Sequence, residues 1–144
     1  MMNDAPPSSQ RVTEILAAFA AALDAGDFET AGRMLAADCS YETDIASIAG
    51  RVAVVASYAA AARWTKDRFD EVRTESAVEA PVDGTARVTL TDYLLRAGGR
   101  FHRYACVQEV TVSRALEIVR IVQRELPGQR EALDAYLTEC GIER

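Results

Sequence analysis

The chain has 144 residues, 49% of them hydrophobic and 26% charged, which fits one soluble globular domain with a sizeable core. A formal net charge of -6 argues against a nucleic-acid partner, because phosphate binding needs a concentrated basic face. No apolar run approaches a membrane span, and the start, Met1 to Pro7, lacks the basic and apolar regions of a secretory signal.

Helix-type patterns fill residues 10 to 64 and strand-type patterns 68 to 125, with one short helical segment at the end. Pro6-Pro7-Ser8-Ser9 reads as a flexible leader, residues 1 to 9, ending in a helix N-cap. Val12, Ile15, Leu16, Phe19 and Leu23 make the apolar stripe of a first helix. Gly26-Asp27 stops it and caps a short second helix, whose stripe is Phe28, Ala31, Met34 and Leu35. Cys39 to Thr43 reads as a brief extended segment. Gly50 precedes a third helix with Val52, Val55, Ala59 and Trp64 among its apolar positions.

Three to four strands follow. Residues 68 to 79 carry Asp70, Glu71 and Glu75 and suit a sheet edge. Pro81 to Gly84 is a turn. Residues 85 to 96 and 100 to 112 are long strands joined at Ala97-Gly98-Gly99, a hairpin signal, and residues 116 to 125 form the last strand. Pro127 suits the first turn of a final helix, with Leu133, Tyr136 and Leu137 on its apolar face and Gly141 at its end. That helix is either a lid or a brace for the sheet edge. The whole is an α+β arrangement, three N-terminal helices on a curved antiparallel sheet plus a short C-terminal helix. Such layers enclose a space of the kind ligands use.

Residues 10 to 43 resemble the opening of the nuclear transport factor 2-like superfamily, which includes ketosteroid isomerases and polyketide cyclases. The resemblance is carried by Phe19-Ala20-Ala21-Ala22-Leu23-Asp24-Ala25-Gly26-Asp27-Phe28 and by Met34 to Thr43, with Gly50-Arg51 before the third helix. It implies a cone-shaped fold over residues 10 to 126, the helix of residues 127 to 144 packing on the same domain, and a homodimer formed through the sheet. It also tests one activity. The tyrosine that ketosteroid isomerases carry in the first helix falls on Phe19, their catalytic aspartate on Thr43 and their protonated aspartate on Gln108. Proton abstraction by that route needs a base and an oxyanion donor together, so no ketosteroid isomerase activity is expected.

His102 is the only histidine. By strand parity His102, Tyr104, Cys106 and Gln108 share one face, and the resemblance makes it the pocket face. His102 is read as a general base or a ligand-orienting donor, against the plainer reading of a half-exposed ring near the hairpin. Asp92 depends on register. A three-residue loop (97 to 99) sets it opposite Tyr104 and inside, as a carboxyl with a raised pKa able to act as acid or base. A two-residue loop turns it outward. Tyr41, Tyr58 and Trp64 are aromatic candidates for the ligand walls, with core packing as the ordinary alternative. Cys39, Cys106 and Cys140 are odd in number and dispersed. They suit free thiols in a reducing cytoplasm, and with one histidine they build no zinc set.

The expectation is therefore a small-molecule-binding protein or cofactor-independent enzyme (isomerase, cyclase, dehydratase or hydrolase type) for an apolar, oxygenated ligand. The catalytic candidates are His102 and Asp92, and the ligand contacts are Tyr41, Tyr58, Trp64, Tyr104 and Gln108. No metal or cofactor is called for. The alternative is a non-catalytic dimerisation or protein-interaction module.

Overall fold

The computed structural model describes residues 6 to 143. The expected leader, residues 1 to 9, lies partly outside them. Ser8 caps the first helix, its hydroxyl accepting from the Arg11 amide at 3.2 Å. Four helices and six strands follow: α1 (Ser9–Asp24), α2 (Phe28–Arg33), β1 (Leu35–Glu42), β2 (Ser47–Ala49), α3 (Arg51–Arg68), β3 (Glu71–Val78), β4 (Thr85–Leu95), β5 (Phe101–Val112), β6 (Ile118–Glu125) and α4 (Gln129–Glu139). One curved sheet has the order β2-β1-β6-β5-β4-β3, with β3 at an edge. It is antiparallel except where β1 runs parallel to β6. Register shifts in β1–β6 and β5–β6 bend it. None of the described helices is long and apolar enough to cross a membrane.

The main core lies between the helices and the concave face. Val12, Leu16, Phe19 and Ala20 of α1 and Val54 of α3 meet Leu35, Cys39, Val88, Val110, Ile118 and Ile121 of the sheet. Each fully buried aliphatic side chain contributes about 1.5–3 kcal/mol. A second cluster closes the wide end: Phe69, Leu94, Leu133, Tyr136 and Leu137, with Trp64, Val72, Tyr104, Cys140 and Ile142 packed on it. The α4 helix therefore packs on the inner face of the sheet beside the β4–β5 hairpin tip.

Several sequence expectations are corrected. Leu35 does not extend the α2 stripe; it opens β1 and pairs with Ile118. The brief extended segment is the eight-residue strand β1, and its short partner β2 was not anticipated. Val52 is 84% exposed, and Val54 is the one fully buried residue of α3, because the inward stripe runs through Val54, Val55 and Tyr58. Pro127 precedes α4, whose N-cap is Gly128 at φ 78. The turn into α3 needs Gly50, which sits at φ 98 while its amide donates to the Cys39 carbonyl oxygen at 2.8 Å.

Ile121, fully buried under the middle of the cone, measures how far the fold depends on this floor. Ile121→Ala is expected to cost about 2–5 kcal/mol in chemical denaturation with little change in m-value. A loss well under 1 kcal/mol would place the core elsewhere.

Candidate functional site

The β4–β5 ladder pairs Leu95 with Phe101, Asp92 with Tyr104 and Thr85 with Thr111. This is the register of the three-residue loop, with one further pair open at the tip. Strand parity then lines the concave face with Val88, Leu90, Asp92 and Leu94 from β4, and with His102, Tyr104, Cys106, Gln108 and Val110 from β5. Strand β6 adds Ile121, Gln123 and Glu125 beside them.

A polar relay crosses this face. The Tyr41 hydroxyl donates to Gln123 Oε1 at 2.6 Å, Gln108 Nε2 donates to the same oxygen at 3.1 Å, and the Tyr58 hydroxyl donates to Gln108 Oε1 at 2.8 Å. The Tyr58 ring meets Tyr41 and Phe19 edge to face, with centroids 5.5 and 6.0 Å apart. Burial pushes the Tyr41 phenol up to about 12 and the Tyr58 phenol well above its ordinary value. Both hydroxyls therefore stay protonated and keep donating. Gln123 was missed by the sequence reading. Its signal was parity, since it shares a face with Ile121 and lies opposite Gln108.

Asp92 behaves differently. It is the carboxyl of β4 on this face, and no donor among the described residues hydrogen-bonds it. Burial first, and the negative charge of Asp24 second, push it up to about 6. Asp24, at the end of α1, accepts from the Ser76 hydroxyl at 3.1 Å, and the last turn of α1 has no basic residue to offset either carboxylate. The neighbouring Cys106 thiol is raised to about 12, by burial and then by Asp92 and Glu125. Asp92 is thus the inner-face group that changes charge near neutral pH.

Beyond Tyr58, α3 turns out small or solvated residues, with Ala60, Ala61, Ala62 and Arg63 exposed. Leu90, Asp92, Tyr104, Tyr58 and Trp64 all keep partial exposure. Their partial exposure leaves the flank between α3 and β3–β4 within reach of solvent. Two separate open clefts, of about 460 and 290 Å³, lie on the far side of α3 around Arg51 and Val52. None of the candidate site residues lines either cleft.

The structure gathers Tyr41, Tyr58 and Gln108 in the relay. It puts Asp92 and Tyr104 together at the open flank, and Trp64 in the cluster under α4. It does not join His102 to Asp92 as an acid–base pair. The His102 ring stacks on Tyr136 of α4 with centroids 4.7 Å apart, and its Nε2 is buried with no hydrogen-bond partner. Burial, then Arg100, lower its pKa, opposed by Glu139. Thr43 is engaged locally, its Oγ1 accepting from the Ala46 and Ile45 amides at 3.1 and 3.3 Å. No group of three or more metal-ligating side chains occurs among the described residues, and all three cysteines are free thiols.

No protein-family model and no curated protein matches the chain. Solved structures do resemble it. A de novo designed protein with a curved β-sheet superposes with a TM-score of 0.63 at 17% identity, covering 92% of this chain and 99% of that one. An epoxide hydrolase from M. tuberculosis, described as LEH-like, gives 0.60 at 18%, with 92% and 99% covered. A candidate polyketide cyclase from Xanthomonas campestris pv. campestris gives 0.62 at 18%, with 92% and 98% covered. At these identities the likeness establishes the fold alone, a curved sheet with helices packed on its concave face.

Two measurements test this electrostatic account. A raised carboxyl pKa means that the native state binds more protons than the unfolded chain between the ordinary carboxylate value and about 6, so stability falls as pH rises through that window. Asp92→Asn is therefore expected to stabilise the protein by about 1–3 kcal/mol at neutral pH and by almost nothing near pH 3. An equal effect at both pH values would disprove the shift. Tyr58→Phe leaves Gln108 Oε1 without its donor and is expected to cost about 1–3 kcal/mol in thermal or chemical unfolding.

Proposed function

We propose that the open flank of the cone is a small-molecule site in which Asp92 serves as general acid or base toward an apolar, oxygenated ligand. The observation that carries this reading is Asp92 itself, a half-buried carboxyl on an otherwise largely apolar face, without a partner and raised to about 6. Below that value it donates a hydrogen bond to a ligand oxygen; above it, it accepts a proton. A carboxyl held that way serves a reaction run near neutrality.

The other residues take places around it. Tyr104 and Trp64 make aromatic walls. The Tyr41–Gln123–Gln108–Tyr58 relay forms a polar floor whose hydroxyl protons are already committed to the glutamine oxygens, which leaves amide protons of the glutamines to meet a ligand oxygen. Two solved structures with the same fold are described as an epoxide hydrolase and a candidate polyketide cyclase, both acting on oxygenated organic molecules, and this supports the ligand class by analogy. The sequence reading of His102 as a second acid–base group is set aside here, because α4 covers the ring. The proposed chemistry calls for no cofactor.

The test is a fragment titration of the labelled protein with small cyclic ketones and epoxides, followed by amide shifts on both sides of neutrality. Shifts clustered at Leu90 to Asp92 and Tyr104 to Gln108, and altered by Asp92→Asn, are expected. Any turnover found should drop at least about a hundredfold in Asp92→Asn. Shifts confined to the cleft around Arg51 and Val52 would move the site out of the cone.

A further inference from the structure

His102 is the one imidazole of the chain, and the proposed site does not use it. The ring is 8% exposed, sits nearly parallel to Tyr136 (15° between planes), and buries Nε2 with no acceptor or donor among the described residues. A neutral ring tolerates this at a modest cost. An imidazolium in the same place is a buried charge whose facing carboxylate, Glu139, is already engaged with Arg100, and burying one is far more costly.

Besides that stack, α4 is held by a short set of contacts: the Ala105 amide of β5 donates to Gln129 Oε1 at 2.9 Å, and the Tyr136 ring stacks on Phe69 with centroids 6.1 Å apart. The Tyr136 hydroxyl reaches the carbonyl oxygens of Arg100 and Leu94, at 2.7 and 3.2 Å. Leu133 and Leu137 join Tyr136 to Phe69 and Leu94 in the second core cluster. The ion pairs Arg100–Glu139 and Arg130–Glu125 lie at the surface, where such pairs contribute little. The helix also begins at Gly128 with no side-chain cap. The groups facing the ring can be named element by element. The hairpin turn contributes Arg100, which opposes protonation. The α4 helix contributes Tyr136 and Glu139, and Glu139 is engaged with Arg100 at 3.2 Å. Strand β4 contributes the uncharged Leu94 opposite.

We infer that α4 is an acid-released cover on the wide end of the cone, with His102 as its trigger. Protonation of the ring leaves an unpaired cation beneath Tyr136, and the helix leaves the sheet so that the imidazolium reaches water. The sign follows from the geometry. The covered ring holds its proton less tightly than the uncovered one, so the cover is stable above the ordinary imidazole pKa and is lost as pH falls below it. The ratio of released to covered molecules rises up to about tenfold per pH unit below about 6.5, until the covered ring itself titrates. Release uncovers Leu94, Tyr104, Trp64 and Phe69 next to Asp92, widening the same face. The inference stands whether or not the flank binds a ligand.

The chain carries its own probes, a single histidine and a single tryptophan, and Trp64 packs on the cluster that α4 covers. The experiment follows the His102 ring resonance, Trp64 emission and the amide exchange of residues 129 to 139 in the full chain, from about pH 7.5 to about pH 4.5. The ring is expected to titrate below its ordinary value. The α4 amides should lose protection and Trp64 emission should change at the same midpoint, while β4, β5 and β6 stay protected. His102→Phe, which keeps a flat ring and removes the titration, should abolish the transition; if that variant fails to fold, the wild-type titration decides alone. Four results overturn the inference: a ring titrating at or above the ordinary value, a ring titrating while α4 stays protected, α4 and sheet opening together, or a transition that persists in His102→Phe, which would assign it to Asp92.

Discussion

Everything proposed for this protein depends on the register of one hairpin. With Asp92 opposite Tyr104, β4 turns Val88, Leu90, Asp92 and Leu94 toward the helices. A slip of one residue would instead bring in Arg87, Thr89, Thr91 and Tyr93, removing the apolar wall and the carboxyl together. The pairing is pinned at both ends. Thr85 and Thr111 share a hydroxyl hydrogen bond at 2.9 Å, and the Tyr136 hydroxyl bridges Leu94 and Arg100 across the tip. Between them, Val88 and Val110 are locked into the main core. The same burial that fixes the register desolvates Asp92, so its altered acidity comes from the packing that makes the fold.

The sequence disclosed the parts governed by local rules. The α1 stripe from Val12 to Phe19 is buried as its spacing implied, Gly50 opens α3, β3 is an edge strand, and the turns at Pro81 to Gly84 and Ala97 to Gly99 separate the long strands. Features decided by distant partners stayed hidden. Leu35 has helical spacing from Ala31, yet its pairing with Ile118 far along the chain draws it into a strand. Strand β2 is three residues long and exists because β1 offers it an edge. Val52 was indistinguishable from Val54 and Val55 by composition, and only the docking of α3 turned it outward. The hairpin register was open for the same reason, since both loop lengths suit Gly98-Gly99. The surroundings of His102 stayed hidden as well, because α4, read from sequence as either lid or brace, stacks Tyr136 on the imidazole.

The resemblance seen in residues 10 to 43 identified the architecture and also showed how far architecture reaches. A designed protein, an epoxide hydrolase and a candidate polyketide cyclase share the cone at 17% to 18% identity with this chain. Here Phe19 packs on Tyr58, Thr43 closes a surface turn, and Gln108 joins a relay of neutral amides and phenols. The lining thus provides neutral hydrogen-bonding groups and, in Asp92, a carboxyl raised by burial. Such an arrangement orients a polar atom within an apolar ligand and moves one proton, chemistry that the fold alone neither supplies nor forbids.

Asp92 and His102 are buried under different roofs, and this sets the charge of the interior. Asp92 lies near Asp24 at the end of α1, and its burial favours the neutral acid, so the fold gains from it at low pH. His102 lies beneath α4, and its burial favours the neutral base, so the fold gains from it at high pH. The two preferences run in opposite directions: falling pH favours the covered Asp92 and disfavours the covered His102, and rising pH does the reverse. Packing gives the two groups separate covers and different neighbours, Asp24 for Asp92 and the Tyr136 ring for His102, which is why they work as separate devices on one sheet and not as an ion pair.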